Sequence, residues 1–211
     1  RMHLKDIHGL FKDLWHQTAY DRDDIQYAGG KDFDTLMMNG IDLLTTWYHK
    51  LPDDDFRVIG IEEAFRFNLP GVSVPVIGAI DLVEESGNSI VITDFKTSSR
   101  AYSIDEIDSN MQMTVYQLAA KANGFGGREI LLRFDCLIKT KTPKFEQYYT
   151  TRSAVDEIRL IRKIEKVWEG INQGIFIPND TNWKHKNCPY REVCDEWFLN
   201  GGETDDKACD Q

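Results

Sequence analysis

The feature that most constrains this chain is a pair of apolar runs at 75–84 and 89–96, separated by Glu85-Ser86-Gly87-Asn88. Both runs are rich in Val, Ile and Phe, residues that suit a pleated, buried surface. The Gly and Asn between them signal a turn, so the segment predicts an antiparallel hairpin. With the loop at 85–88, Asp81 pairs with Ile92, Asp94 with Ala79, and Lys96 with Ile77. Side chains alternate along a strand, so this register puts Asp81, Asp94 and Lys96 on one face, with the carboxylates as diagonal neighbours. Ile77, Val83, Ile90 and Ile92 share that face, and Ile80, Leu82, Val91 and Phe95 fill the other. A hairpin apolar on both faces belongs inside a sheet. Two carboxylates there repel each other and resist desolvation unless cations neutralise them. Lys96 supplies one positive charge; a divalent ion would supply the rest, and carboxylate oxygens suit Mg²⁺ or Mn²⁺. A buried Asp–Lys pair with a spare Asp at the strand end is the simpler alternative.

The rest of the chain supplies a frame for this hairpin. Leu4, Ile7, Phe11, Leu14 and Trp15 recur at helical spacing over 4–18. A second helix over about 35–50 follows, with Asp34 as its cap. Residues 57–69 predict a further strand, 104–123 one long helix, and 129–140 with 144–151 a strand pair. The helix at 153–173 carries Ile158, Ile161, Ile164, Trp168 and Ile171 on its apolar face, between Ser153 as cap and Gly174. The tail reads as irregular. This order predicts an α/β (α+β) fold with a central mixed, mostly antiparallel sheet flanked by helices. One domain is expected over 1–211, made of an N-terminal helical part (1–56), a core (57–175) and a Cys-containing tail (176–211).

Charge narrows the partners. The 25 Lys and Arg against 35 Asp and Glu give a net charge of −10, which on its own argues against a polyanion partner. The stretch 121–170 departs from the rest, with 11 basic against 7 acidic residues; a solvated helix face or a phosphate-steering patch would each account for it. No apolar run approaches the roughly 18–20 residues that span a bilayer, and the first 30 residues hold no apolar h-region. A cytoplasmic location without a disulfide framework is the expectation for the four cysteines.

Gly78-Ala-Ile-Asp81, then Asp94-Phe-Lys96-Thr-Ser, then Gln112-Met-Thr-Val-Tyr116 together resemble the three ordered motifs of the PD-(D/E)XK nuclease superfamily. The set is similar to its RecB-like exonuclease branch, which includes CRISPR-adaptation and phage enzymes, and it spans about 58–198. The resemblance implies a restriction-endonuclease-like core. Asp81 and Asp94 would hold one or two Mg²⁺ or Mn²⁺ ions with help from the Phe95 carbonyl, and Lys96 would orient the attacking water. Glu62 or Glu63 fits the family's upstream acid; Glu62 is preferred, because Glu63 shares the parity of Phe65, Phe67 and Leu69. Gln112 and Tyr116, four apart on one helix face, would meet the site and the DNA. The family's metal-binding histidine has three candidates, His3, His8 and His16, of which His8 is chosen. Cys188-x₅-Cys194 resembles the end of iron–sulfur members, with His185 where their first tail cysteine stands. Cys209 or His185 would complete a cluster or a zinc site there; a packed turn around Pro189, Tyr190 and Trp197 is the alternative.

Two functions follow from the resemblance. The first is a metal-dependent deoxyribonuclease, an exonuclease in expectation. It would bind DNA without regard to sequence and steer the backbone with Lys139, Lys141 and Lys144. The second is a catalytically inactive DNA-binding or assembly subunit on the same fold.

Overall fold

The structure, a computed structural model, describes residues 2–181 and 185–200. The chain divides into two compact units, residues 1–163 and 164–211. In the first, helices α1 (Leu4–Ala19) and α2 (Phe33–Lys50) precede strands β1 (Arg57–Phe67), β2 (Val76–Ser86) and β3 (Ser89–Ser98). Helices α3 (Ile104–Asp108) and α4 (Met111–Ala120) then lead to β4 (Glu129–Ile138) and β5 (Lys144–Thr150). Helix α5 (Ala154–Asn172) runs on into the second unit, which also holds α6 (Arg191–Leu199).

The five strands form one sheet in the order β1-β2-β3-β4-β5. It is mixed, as expected: β3 and β4 run parallel and the other neighbours antiparallel. A parallel pair needs a crossover, and α3 and α4 provide it. Gln112 and Tyr116 reach Asp94 from α4, so α4 covers the sheet face that carries Asp94. On the other face Leu44 and Trp47 of α2 line a cavity with Phe95, Leu137 and Phe145. The centre of the sheet is dry: Ile90, Val91, Ile92, Leu132 and Cys136 have no exposed surface.

Several expectations change. The hairpin turn spans two residues rather than four, because Gly87 adopts φ 58° and Ser86 pairs directly with Ser89. A glycine-first two-residue turn matches strand twist better than a longer loop. The register therefore runs Val83↔Ile92 and Leu82↔Thr93, two residues from the predicted one, and an even shift keeps the side chains of the paired stretch on their faces. Ile80, expected on the face opposite Val83, instead lines a cavity with it and with Ala119 and Ala120 of α4. The first half of β2 is not interior: Ile77 is 69% exposed. The helix predicted over 104–123 is broken at Asn110, which turns extended (φ −66°, ψ 117°) and caps α4 by accepting from Gln112 N at 2.9 Å. The cap of α2 is Asp32 rather than Asp34, since its side chain accepts from Thr35 N at 2.7 Å. The tail contains helix α6, with Cys194 and Trp197 half-buried on it; their three-residue spacing was too short a pattern to mark a helix.

Candidate active site

The site begins where two strands part. β2 and β3 are paired from Ser86↔Ser89 as far as Leu82↔Thr93. Beyond that point β2 stays with β1 to Phe67↔Val76, and β3 stays with β4 to Ser98↔Ile138. The first residues past the fork are Asp81 and Asp94, level with each other. Phe95 N–H, left without a ladder partner on β2, donates instead to Asp81 Oδ2 at 2.8 Å. The carboxylate thus takes the place of a strand carbonyl and is fixed beside Asp94.

Asp94 is 2% exposed. Its Oδ1 accepts from Gln112 Nε2 at 2.7 Å and from Tyr116 OH at 3.3 Å. Its Oδ2 is ion-paired with Lys96 Nζ at 2.6 Å and has no other partner among the described residues. Lys96 Nζ donates to Gln112 Oε1 at 2.9 Å, and Gln112 Nε2 also donates to Tyr116 OH at 2.8 Å. Gln112 therefore ties the acid, the base and the phenol together, using its carbonyl for the cation and its amide for the anion.

Electrostatics follow from this packing. Burial holds the Asp94 carboxyl above the ordinary aspartate value. The Lys96 ammonium offsets part of that rise and the Asp81 charge adds to it. Burial and the Asp94 charge push the Tyr116 hydroxyl up to about 12, so it stays protonated and serves as a donor.

These residues fit a small hard cation. Two adjacent carboxylates lie beside one lysine, which pairs with Asp94 alone. Mg²⁺ suits such a pair because it keeps several waters rather than demanding an all-protein cage. Among the described residues no group of three or more His, Cys, Asp and Glu side chains is placed to hold a metal, so carbonyl and water oxygens would complete the shell.

The other predicted residues are distributed as follows. Glu62 lies between the pairs Ile61↔Leu82 and Glu63↔Ile80, level with Asp81 on the next strand. It has φ 49°, a left-handed conformation that is rare for such a residue and that gathers at functional sites. Glu63 lines a cavity with Phe65 and Ile80, as its parity suggested. Tyr116, expected on DNA, is buried and bound to Asp94, and Gln112 is half-buried and bonded inward. His8 does not join the carboxylates; its Nε2 lies 2.9 Å from Thr45 Oγ1 and links α1 to α2. Lys139, Lys141 and Lys144 are exposed around the β4–β5 turn. Lys139 N donates to Ser98 O at 2.7 Å, which sets that turn against the end of β3, three residues or about 10 Å along from the Lys96 level. Cys188 and Cys194 are free thiols, Cys209 lies outside the described residues, and His185 sits in a 3₁₀ turn.

Two features were missed. Arg152 is buried and its fork ties the α3–α4 break to the end of β5, donating to Ile107 O (2.9 Å), Asn110 O (3.1 Å) and Thr114 Oγ1 (3.0 Å) on one side and to Thr150 Oγ1 (2.6 Å) on the other. It thereby fixes the first turn of α4, which carries Gln112. An arginine just before a helix gives no sequence signal of this. The second is a buried cluster of Arg133, Glu84 and Asp135 on the opposite sheet face. Its signal was present: Arg133-Phe134-Asp135 repeats the charge–Phe–charge pattern of Asp94-Phe95-Lys96.

The chain was compared with known families and structures. A family model for the PD-(D/E)XK nuclease superfamily matches residues 4–195. Among solved structures, an inferred exonuclease from Eubacterium rectale aligns over 93% of this chain and 75% of its own, at 12% identity and a TM-score of 0.49. The protein SSO0001 aligns over 90% of this chain and 79% of its own, at 16% identity and a TM-score of 0.43.

Proposed function

Because this chain belongs to the PD-(D/E)XK nuclease superfamily, we propose that it is a divalent-metal-dependent deoxyribonuclease, an exonuclease of the RecB-like branch, that hydrolyses phosphodiester bonds. The observation that carries this reading is the strand fork, which sets Asp81 beside the buried Asp94 carboxylate, with Lys96 Nζ at 2.6 Å from Asp94.

Asp81 and Asp94, with the Phe95 carbonyl, would hold Mg²⁺ or Mn²⁺. Such an ion acidifies a bound water and offsets charge on the phosphate. Lys96 orients the nucleophilic water and stabilises the oxyanion that develops on phosphorus. Gln112 keeps Lys96 and Asp94 at fixed separation, and Tyr116 supplies a permanent donor to Asp94. Both are positioning residues in this reading rather than DNA contacts. Glu62, level with Asp81, is the upstream acid. His8 is left out of the ligand set because Thr45 takes its ring nitrogen. Lys139, Lys141 and Lys144 draw the DNA backbone toward the C-terminal ends of β3 and β4, without regard to sequence. The reading extends to one nuclease domain over 1–211 acting in the cytoplasm; among the described residues no helix is long and apolar enough to cross a membrane.

End-labelled linear and circular DNA, single- and double-stranded, tests it with Mg²⁺, Mn²⁺ or EDTA. Metal-dependent loss of linear but not circular DNA, abolished by Lys96→Ala and by Asp94→Ala, is expected. DNA binding with no cleavage under any metal would instead indicate a binding subunit.

A further inference from the structure

The segment that leaves β3 carries an aromatic ring toward this site. Tyr102 stacks on Phe134, with ring centroids 6.3 Å apart and planes 9° apart, and meets Tyr148 edge-on at 6.4 Å. Phe134 pairs with Asp94 across β3 and β4, and Lys96 Nζ lies 5.9 Å from its ring centroid. The Tyr102 ring is therefore within about 12 Å of the Lys96 ammonium, a span of about three nucleotide steps at the rise of a stacked strand.

The ring is held rather than loose. Arg100 donates to Glu106 at 2.8 and 2.5 Å, and Ser103 and Glu106 form a reciprocal capping box at the start of α3. Tyr148 OH donates to Glu146. One face of Tyr102 rests on Phe134, yet the residue is only half-buried. The exposed lysines of the β4–β5 turn abut the end of β3, four residues before Tyr102. A braced aromatic face between a catalytic-type lysine and a basic turn has the two elements that bind single strands: stacking and backbone attraction.

We propose that Tyr102, backed by Phe134 and Tyr148, is a stacking platform for one base of a single-stranded DNA segment leading into the site. This rests on the nuclease reading and adds a substrate form to it. A base inside a duplex has both faces covered by its neighbours, whereas an unpaired base offers a free face to the ring.

The test uses single-stranded oligonucleotides carrying one 2-aminopurine, moved base by base from the end, bound in EDTA so that nothing is cut. Quenching confined to one position is expected with the wild type and with Tyr102→Phe. Tyr102→Leu, which keeps Phe134 covered, should lose the quenching and bind at least about fivefold more weakly. An abasic site at that position should weaken the wild type to the same degree and Tyr102→Leu no further. Equal wild-type affinity for abasic sites at every position overturns the proposal without recourse to any variant, as does a Tyr102→Leu protein with unchanged quenching. Position-specific quenching in a protein that cleaves nothing with metal would sink the nuclease reading and leave the platform. Metal-dependent cleavage with affinity indifferent to Tyr102 would do the reverse.

Discussion

Two charge clusters occupy opposite faces of the same strands, and they have the same formal content. On the α4 face Asp81 and Asp94 lie beside Lys96; on the α2 face Glu84 and Asp135 share Arg133. Each holds two carboxylates and one cation. The parallel pairing sets Asp94 opposite Phe134 and Phe95 opposite Asp135, so two charge–Phe–charge segments run side by side with their charges facing opposite ways. The difference lies in how the cation is used. Arg133 spans both acids, at 2.6 Å from Glu84 Oε2 and 2.9 Å from Asp135 Oδ1. Gln147 adds a hydrogen bond to Asp135 at 2.9 Å, and the rings of Phe56 and Tyr149 flank the guanidinium. A planar fork can bridge two carboxylates; an ammonium is a point charge. Lys96 meets Asp94 alone, and Asp81 has no ion pair among the described residues. One cation reaches both of its acids and the other reaches one, which leaves a carboxylate over for the metal that the proposed function requires.

The largest effect should come from breaking the satisfied side. Arg133→Met leaves Glu84 and Asp135 buried without a partner and should destabilise the protein by about 3–5 kcal/mol, read as a fall in denaturant midpoint. Lys96→Met on the other face should move that midpoint less, because the Asp94 carboxyl it leaves behind is already held above its ordinary value and can take up a proton. It should instead cost cleavage about 100-fold or more, as loss of one charge-stabilising donor does. A variant pair with the two outcomes exchanged would end the distinction drawn here.

A smaller effect sharpens it. The Asp94 carboxyl is held above its ordinary value by burial, so the folded state binds its proton more tightly than the unfolded state. Its contribution to stability is complete below the unfolded value of 3.8 and is lost as pH rises through the raised folded value. Burial raises Glu84 and Asp135 in the same direction. In EDTA, Asp94→Asn should therefore gain on the order of 1 kcal/mol at neutral pH, with the gain vanishing in acid, while cleavage disappears. A melting series across pH, with wild type alongside, reads both. A variant less stable than wild type at neutral pH would mean that Asp94 belongs with the satisfied cluster.

The α4-face cluster was legible because its residues lie in one hairpin, where alternation alone gathers Asp81, Asp94 and Lys96. The predicted register was two residues off, and only the even shift preserved that grouping. The α2-face cluster was legible only in part: alternation puts Arg133 and Asp135 on one face of β4, but the parallel pairing of β3 and β4 that brings them toward Glu84 is encoded by no local pattern. Gln112 and Tyr116 were placed on the right helix face, but spacing could not tell an inward contact to Asp94 from an outward one to DNA. The break at Asn110 escaped because a buried Arg152, distant in sequence, accounts for the spare carbonyls of α3.

Both clusters depend on the turn at Gly87, and the smallest effect tests how far. Arg128, just before β4, grips the turn, donating to Gly87 O at 3.0 Å, to Asn88 O at 3.3 Å and to Glu85 Oε2 at 2.7 Å. Gly87 holds φ 58°, and a Cβ built there meets nothing within 4 Å. Gly87→Ala should therefore cost only the backbone strain, about 1 kcal/mol. Buried partners on both faces oppose a slip: a one-residue change of register would exchange the faces of Asp81 and Glu84 and leave Arg133 and Lys96 each with the wrong acid. Cleavage per folded molecule should consequently be unchanged, measured at a temperature where both proteins are fully folded. A loss of cleavage larger than the loss of stability would mean that the turn, and not the two clusters, sets the level at which Asp81 meets Asp94.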